Sequence, residues 1–234
     1  MREFSRRTEL ALLLLVAVAN VCAGQQPLAP AVTTSMVAMR DGVKLATDVY
    51  LPGDGKDKYP VIAVRTPYGK SQVGATLAAT ATRRGYALVA QDLRGRGKSE
   101  GHPAIIFGND GLGEHQDGRD ALEWVARQTW CNGKIGSWGG SALGITQNMA
   151  APVAPDELKA QFVVVAFSDY YSQGVYQGGA FRTQLIERWL QANGIIERNL
   201  ATFVSHPRFD DFWKQLSFEA QAGRVRAPAV YSGG

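Results

Sequence analysis

Cysteine and histidine are scarce in this 234-residue sequence: Cys22 and Cys131 are the cysteines, His102, His115 and His206 the histidines. Cys22 falls in an N-terminal leader, so a mature chain would keep one thiol and no internal disulfide. The histidines have no metal-ligand spacing, and neither a metal nor another cofactor is expected. A surplus of one charge is also missing. The net charge is +4, and the basic residues are scattered without a stripe, which removes the footprint of a nucleic-acid binder. A phosphate loop needs a glycine five positions before its Gly-Lys glycine. For Gly69-Lys70-Ser71 and Gly97-Lys98-Ser99 those positions hold Val64 and Asp92. No G-x-G-x-x-G opens a helix after the first parallel strand, so a dinucleotide fold is unsupported. Internal repeats are absent.

What remains is 45% hydrophobic and 20% charged, as in a globular α/β chain. Residues 1–23 read as an export signal. Arg2, Arg6 and Arg7 precede an apolar run, Leu10–Val21, and Val21-Cys22-Ala23 offers small residues for cleavage before Gly24. The run is too short for a comfortable membrane span. The alternative is an uncleaved anchor; twin-arginine and lipid-anchored versions are weaker readings, because of Glu9 and Val21 respectively. The protein is accordingly expected outside the cytoplasm, periplasmic or extracellular, with no stable span after cleavage. Residues 24–32 read as a linker.

From Thr33 to Leu51 a hairpin turns at Asp41-Gly42. Apolar runs at Pro60–Arg65, Tyr86–Gln91 and Ala160–Phe167 predict strands covered on both faces. Between them, 74–84 and 117–128 carry helical patterns. This alternation predicts an α/β fold with a mostly parallel sheet and right-handed crossovers. From Ser168 to about Ala222 aromatics, among them Tyr170, Trp189 and Phe203, recur among helical patches, which predicts an inserted helical cap over 169–222; the cap aromatics are candidates to line a substrate pocket, most of them packing instead onto the core. Residues 223–234 begin a further core strand.

The stretch that carries chemistry is KIGSWGGSALGITQNMAA, Lys134–Ala151. It reads as a strand over Ile135–Trp138, a tight turn at Ser141 and a helix beginning near Ala142. That is the form of a nucleophile elbow, which lifts a serine hydroxyl to the top of a sheet. The spacing is Gly139-x-Ser141-x-x-Gly144, with Leu143 where the elbow's last glycine usually falls. Spacing alone leaves a plain strand–turn–helix equally open. Cys131 reads as a buried structural thiol.

These stretches in order carry a resemblance: MRDGVKLATDVYLP (39–52), YPVIAVRTPYGK (59–70), YALVAQDLRGRGKSEG (86–101), DGRDALEWVARQTWCNGKIGSWGGSALG (117–144) and APAVYSGG (227–234). The chain resembles the CocE/NonD family of serine hydrolases, the X-Pro dipeptidyl-peptidase S15-like group that includes cocaine esterase, the α-amino acid ester hydrolases and glutaryl acylases. The resemblance implies an α/β-hydrolase fold. It implies Ser141 as the acyl-forming nucleophile, with the N–H of Ala142 and the phenol of Tyr68 as oxyanion donors. The substrate would be a small-molecule ester or amide. Relatives commonly carry Tyr where this chain has Ala142, which keeps the backbone donor and removes a piece of pocket wall. Asp92, Arg94 and Arg96 would brace a sheet-top loop.

A serine needs a base and a carboxylate that orients it. In this fold they follow the serine in chain order, and the family's acid and histidine come after the APAVYSGG strand. The histidine after Ser141 is His206, in the cap. Two expectations follow. One is the N-terminal part of an exported serine hydrolase, a fragment ending before the last strand of the fold, lacking the expected Asp and His and inactive on its own. The other is a catalytically inactive, hydrolase-like secreted protein. Oligomeric state is not legible.

Overall fold

A computed structural model describes residues 30–102, 105–111 and 113–233; the export signal and most of the predicted linker lie outside them. The hairpin forms as expected. β1 (Val32–Ala38) and β2 (Lys44–Tyr50) pair antiparallel, and β1 begins at Val32, a residue read as linker. The turn closes with the Gly42 N–H on the Met39 carbonyl at 2.9 Å, Gly42 taking a φ of 84°.

The other strands are β3 (Tyr59–Thr66), β4 (Ala87–Asp92), β5 (Cys131–Gly140), β6 (Leu158–Val164) and, after a two-stranded ribbon of β7 (Tyr176–Gln177) and β8 (Ala180–Phe181), β9 (Ala229–Ser232). They form a seven-stranded sheet in the order β1-β2-β4-β3-β5-β6-β9. From β4 to β9 every pairing is parallel. β4 is buried along its whole length and β3 from Ala63 to its end, which is why they read as unbroken apolar runs.

Three helices flank this sheet: α1 (Lys70–Arg83), α2 (Asp117–Ala126) and α3 (Ala142–Ala150). α1 starts four residues ahead of the predicted Gly74. Its first turn is polar but buried: the Lys70 N–H donates to Asp92 Oδ1 and Lys70 Nζ to Asp48 Oδ1, each at 2.6 Å. β6 stops at Val164 rather than Phe167, because Val165 takes a φ of 45° and leaves the strand conformation.

After β6 the chain forms a π-helical turn (Tyr170–Val175), the β7–β8 ribbon, then α4 (Thr183–Ala192), α5 (Ile196–Ser205), α6 (Asp211–Lys214) and a 3₁₀ segment (Glu219–Arg224). Trp213, Phe203 and Leu190 from these helices bury fully against Ala142, Ile145 and Met149 of α3. A fully buried side chain such as Phe203 contributes about 1.5–3 kcal/mol. This packing seats the helical segment on the helix that follows Ser141. No helix among the described residues is long and apolar enough to cross a membrane.

Candidate active site

β3 and β5 are parallel neighbours, so the loops leaving their carboxyl ends lie side by side. β4 flanks β3 on one side and β5 on the other; the carboxyl edge where strand order reverses is where ligands bind in open α/β sheets. The β3 loop carries Tyr68 and the β5 loop carries Ser141. The Tyr68 N–H donates to Thr66 Oγ1 at 3.1 Å, tying the loop to its strand. The expected bracing is present. Asp92 Oδ2 accepts from the Lys98 N–H at 3.0 Å, Arg96 Nε donates to the Pro67 carbonyl at 3.2 Å, and Arg94 pairs with Asp41 and Asp117.

Ser141 lies between β5 and α3 with φ 52° and ψ −123°. Its N–H donates to the Val164 carbonyl at 2.9 Å, and its own carbonyl accepts from Gly144 and Ile145, each at 2.9 Å. The backbone is thereby fixed from both sides, while the hydroxyl has no hydrogen-bond partner among the described residues and the residue is exposed. Ala142 is the first residue of α3, so its N–H has no carbonyl to bond within the helix. The positive end of the helix dipole lies at the same place.

The displaced glycine of the elbow has a physical reading. A Cβ on Gly139 would stand 2.4 Å from the Leu143 Cβ, and one on Gly144 2.6 Å from the Ala166 Cβ. The close approach of α3 to the segment after β6 thus falls at Gly144, and Leu143 packs back over Gly139.

Ser141 and Ala142 open into a cavity of about 610 Å³ whose walls include Phe107, Tyr170, Trp189 and Phe203. Three non-glycine residues among those described have positive φ: Phe107 (66°), Ser141 (52°) and Val165 (45°). All three line this one cavity. Such conformations cost roughly 1–3 kcal/mol each, are unusual for a β-branched residue, and concentrate at functional sites.

Tyr68 lines a second cavity, of about 630 Å³, with Trp138 and Leu143. Trp189 joins the two. It lines the Ser141 cavity, and its Nε1–H donates to the Tyr68 phenol oxygen at 3.0 Å, the rings meeting edge to face. The structure therefore brings Ser141 and Ala142 into one cavity and Tyr68 to it through Trp189.

None of the three histidines is among the residues lining the Ser141 cavity. His206 Nδ1 meets Asp210 Oδ2 at 2.7 Å and its ring stacks on Phe212. Asp210 also caps α6, and its hydrogen bond from His206 holds its carboxyl below the ordinary range. This dyad joins two cap helices. Cys131 is buried, and among the described residues no group of three or more His, Cys, Asp or Glu could hold a metal. Phe107, Val165 and Arg182 escape the sequence reading, and Trp189 is not singled out from the other cap aromatics. Trp189 is one aromatic among many in the cap, and positive φ at Phe107 or Val165 has no residue-type signal.

A serine on a strained strand-to-helix turn, at the carboxyl edge of a mostly parallel sheet, defines the α/β-hydrolase class. Comparison with known proteins gives the family. The chain belongs to the X-Pro dipeptidyl-peptidase (S15) family, a family of serine hydrolases whose sequence model matches residues 41–202. It is 38% identical over 184 residues to the cocaine esterase of Rhodococcus sp. (strain MB1 Bresler), which covers 75% of this chain and 30% of that protein. Its structure matches a CocE/NonD family hydrolase from Staphylococcus aureus with a TM-score of 0.69 at 28% identity, covering 83% of this chain and 39% of that one. It also shares the fold of an α-amino acid ester hydrolase, with a TM-score of 0.72 at 23% identity over 88% of this chain and 42% of the other. The chain thus spans about 30% of the length of the cocaine esterase it matches.

Proposed function

We propose that this chain carries the nucleophile half of a serine hydrolase that cleaves an ester or amide through an acyl-enzyme on Ser141. The observation that carries the reading is Ser141 itself, held at φ 52° with its hydroxyl unpartnered beside the free helix-start N–H of Ala142. In the reaction the Ser141 oxygen adds to the substrate carbonyl carbon, and the carbonyl electron pair moves onto its oxygen. The Ala142 N–H and the Tyr68 hydroxyl donate to that oxyanion. Collapse expels the alcohol or amine and leaves an acyl group on Ser141, which water then removes. The serine proton passes to a base supplied from outside the described residues, since no histidine lines the cavity.

That same absence favours a second reading, a hydrolase-like protein with the site's form and no turnover. Hydrolysis of a p-nitrophenyl ester by the purified chain, beside Ser141→Ala and His206→Ala, separates the two. With its base outside the described residues, the hydrolase reading expects no sustained turnover from this chain but a burst of release as Ser141 is acylated, lost in Ser141→Ala and unchanged in His206→Ala. Release that survives Ser141→Ala sinks it, and release that needs His206 moves the base into the cap. The same reading places the protein outside the cytoplasm, on the strength of the basic start and the apolar run Leu10–Val21. N-terminal sequencing of the protein from its host tests this: a chain beginning near Gly24 supports export, and one beginning at Met1 counts against cleavage.

A further inference from the structure

The walls of the Ser141 cavity are apolar and aromatic apart from Ser141 itself, Gln173 and Arg182. Among the described residues Arg182 is the one charged residue lining it. The residue is half-buried, at the N-terminal boundary of α4. Its guanidinium is tied to the cavity wall by Nη1, which donates to the Gln173 carbonyl at 2.8 Å, and its backbone is held by the Arg182 N–H donating to the Val175 carbonyl at 2.9 Å.

Among the described residues Arg182 pairs with no carboxylate. Two acids that contact the segment 168–173, which carries the Gln173 carbonyl, are engaged with that segment. Asp169 Oδ1 accepts from the N–H and hydroxyl of Ser172 at 2.6 and 2.8 Å. Glu219 Oε1 accepts from the Ser168 hydroxyl and Gln173 Nε2 at 2.5 and 2.8 Å. Nε and Nη2 of Arg182 are left without protein acceptors. A guanidinium is always charged and presents donors in a planar fork that matches a carboxylate. A cation in an otherwise apolar cavity disfavours a cationic ligand and favours an anionic one.

The geometry points to a substrate that carries a carboxylate: an ester or amide with an apolar or aromatic body in the Ser141 cavity and an anionic end on Arg182. This rests on Ser141 being the acyl acceptor, and it adds the charge of the group the site takes. A cation facing the substrate is opposite to what an ammonium-bearing peptide terminus would need.

Binding tests it without turnover. Isothermal titration calorimetry of the 234-residue chain with 4-phenylbutyrate and with the neutral 4-phenylbutyramide reads the charge preference directly. The carboxylate should bind at least about tenfold more tightly than the amide. Arg182→Ala and Arg182→Gln should abolish that difference, Arg182→Lys should keep part of it, and Ser141→Ala should leave it intact. Arg182→Gln keeps a donor toward the Gln173 carbonyl, so a loss there reports charge rather than folding. Arg96→Ala, which removes the cation lining the second cavity, should leave the preference for the carboxylate in place. Equal binding of both probes, binding of neither, an unchanged preference in Arg182→Gln, or a loss confined to Arg96→Ala overturns the inference. The Ser141→Ala arm separates the two claims, since the hydrolase reading can fail in the esterase assay while this preference stands.

Discussion

The indole Nε1–H of Trp189 donates to the phenol oxygen of Tyr68 at 3.0 Å, across 121 positions of sequence. A phenol is both acceptor and donor. With its oxygen accepting from Trp189, its own proton is left to be given away, and the incoming hydrogen bond polarises it for that purpose. The contact also fixes the ring where the β3 loop leaves the sheet. Replacing Tyr68 by Phe removes the proposed oxyanion donor and should lower kcat about 100- to 1000-fold in the active enzyme, with little change in KM. Trp189→Phe keeps the ring packing and removes the N–H; it should lower kcat by about tenfold, in the same direction. Steady-state kinetics on a p-nitrophenyl ester checks both, and a Trp189→Phe effect confined to KM would show that Trp189 only lines the cavity.

Gly144 answers a packing demand. Its missing Cβ would stand 2.6 Å from the Ala166 Cβ and 3.2 Å from the Gly139 carbonyl oxygen. Gly144→Val should therefore destabilise the fold by about 1–3 kcal/mol through overpacking, read as a lower urea midpoint at unchanged slope. Gly133→Ala, where a Cβ meets nothing within 4 Å, is strained only by its φ of 80° and should cost less.

Lys70 lies in a stretch that superficially suits phosphate, and its ammonium is already committed. Nζ meets Asp48 Oδ1 at 2.6 Å with both side chains almost fully buried, and Asp48 also accepts from Thr34 and Ser71 hydroxyls. Asp48→Ala strands the buried ammonium and should cost about 3–5 kcal/mol, whereas replacing both partners with apolar residues of matching volume should cost much less. Chemical denaturation of the single and double variants checks this. A double variant as unstable as Asp48→Ala would contradict it.

Asp110 gives a pH signature. It is buried against Arg65, and burial raises its carboxyl from 3.8 to about 6 despite the guanidinium. The folded state therefore holds a proton between roughly pH 4 and 6 that the unfolded chain has released. Stability contributed by this group is present below pH 4 and lost as pH rises through 6, on the order of 3 kcal/mol for a shift of that size. The difference in urea midpoint between the parent chain and Asp110→Asn, followed from pH 4 to 7, should change in that direction. A difference that is flat across this range would rule it out.

The sheet was legible where burial on both faces leaves a plain apolar run, as in β3 and β4, and where Asp41-Gly42 supplies the turn. Boundaries were missed where tertiary partners decide them. Lys70 and Ser71 look like loop until Asp48 and Asp92 are seen to hold them, and Val165 reads as strand until its φ is known. At the site, Ser141 and its glycines announce themselves locally, because an elbow is made by neighbours in sequence. Trp189 and Arg182 do not, because their importance comes from contacts with Tyr68 and Gln173 that no spacing encodes.

The central claim is that the Ser141 hydroxyl is placed to accept an acyl group, with the Ala142 N–H and the Tyr68 phenol receiving the oxyanion. Peptide mass mapping of the chain after brief exposure to p-nitrophenyl acetate tests it most directly. The account predicts an acetyl group on the peptide containing Ser141, formed well above the solution rate, reduced in Tyr68→Phe and absent in Ser141→Ala. Acetyl groups scattered over lysines, with none on Ser141 and no dependence on Tyr68, would contradict it.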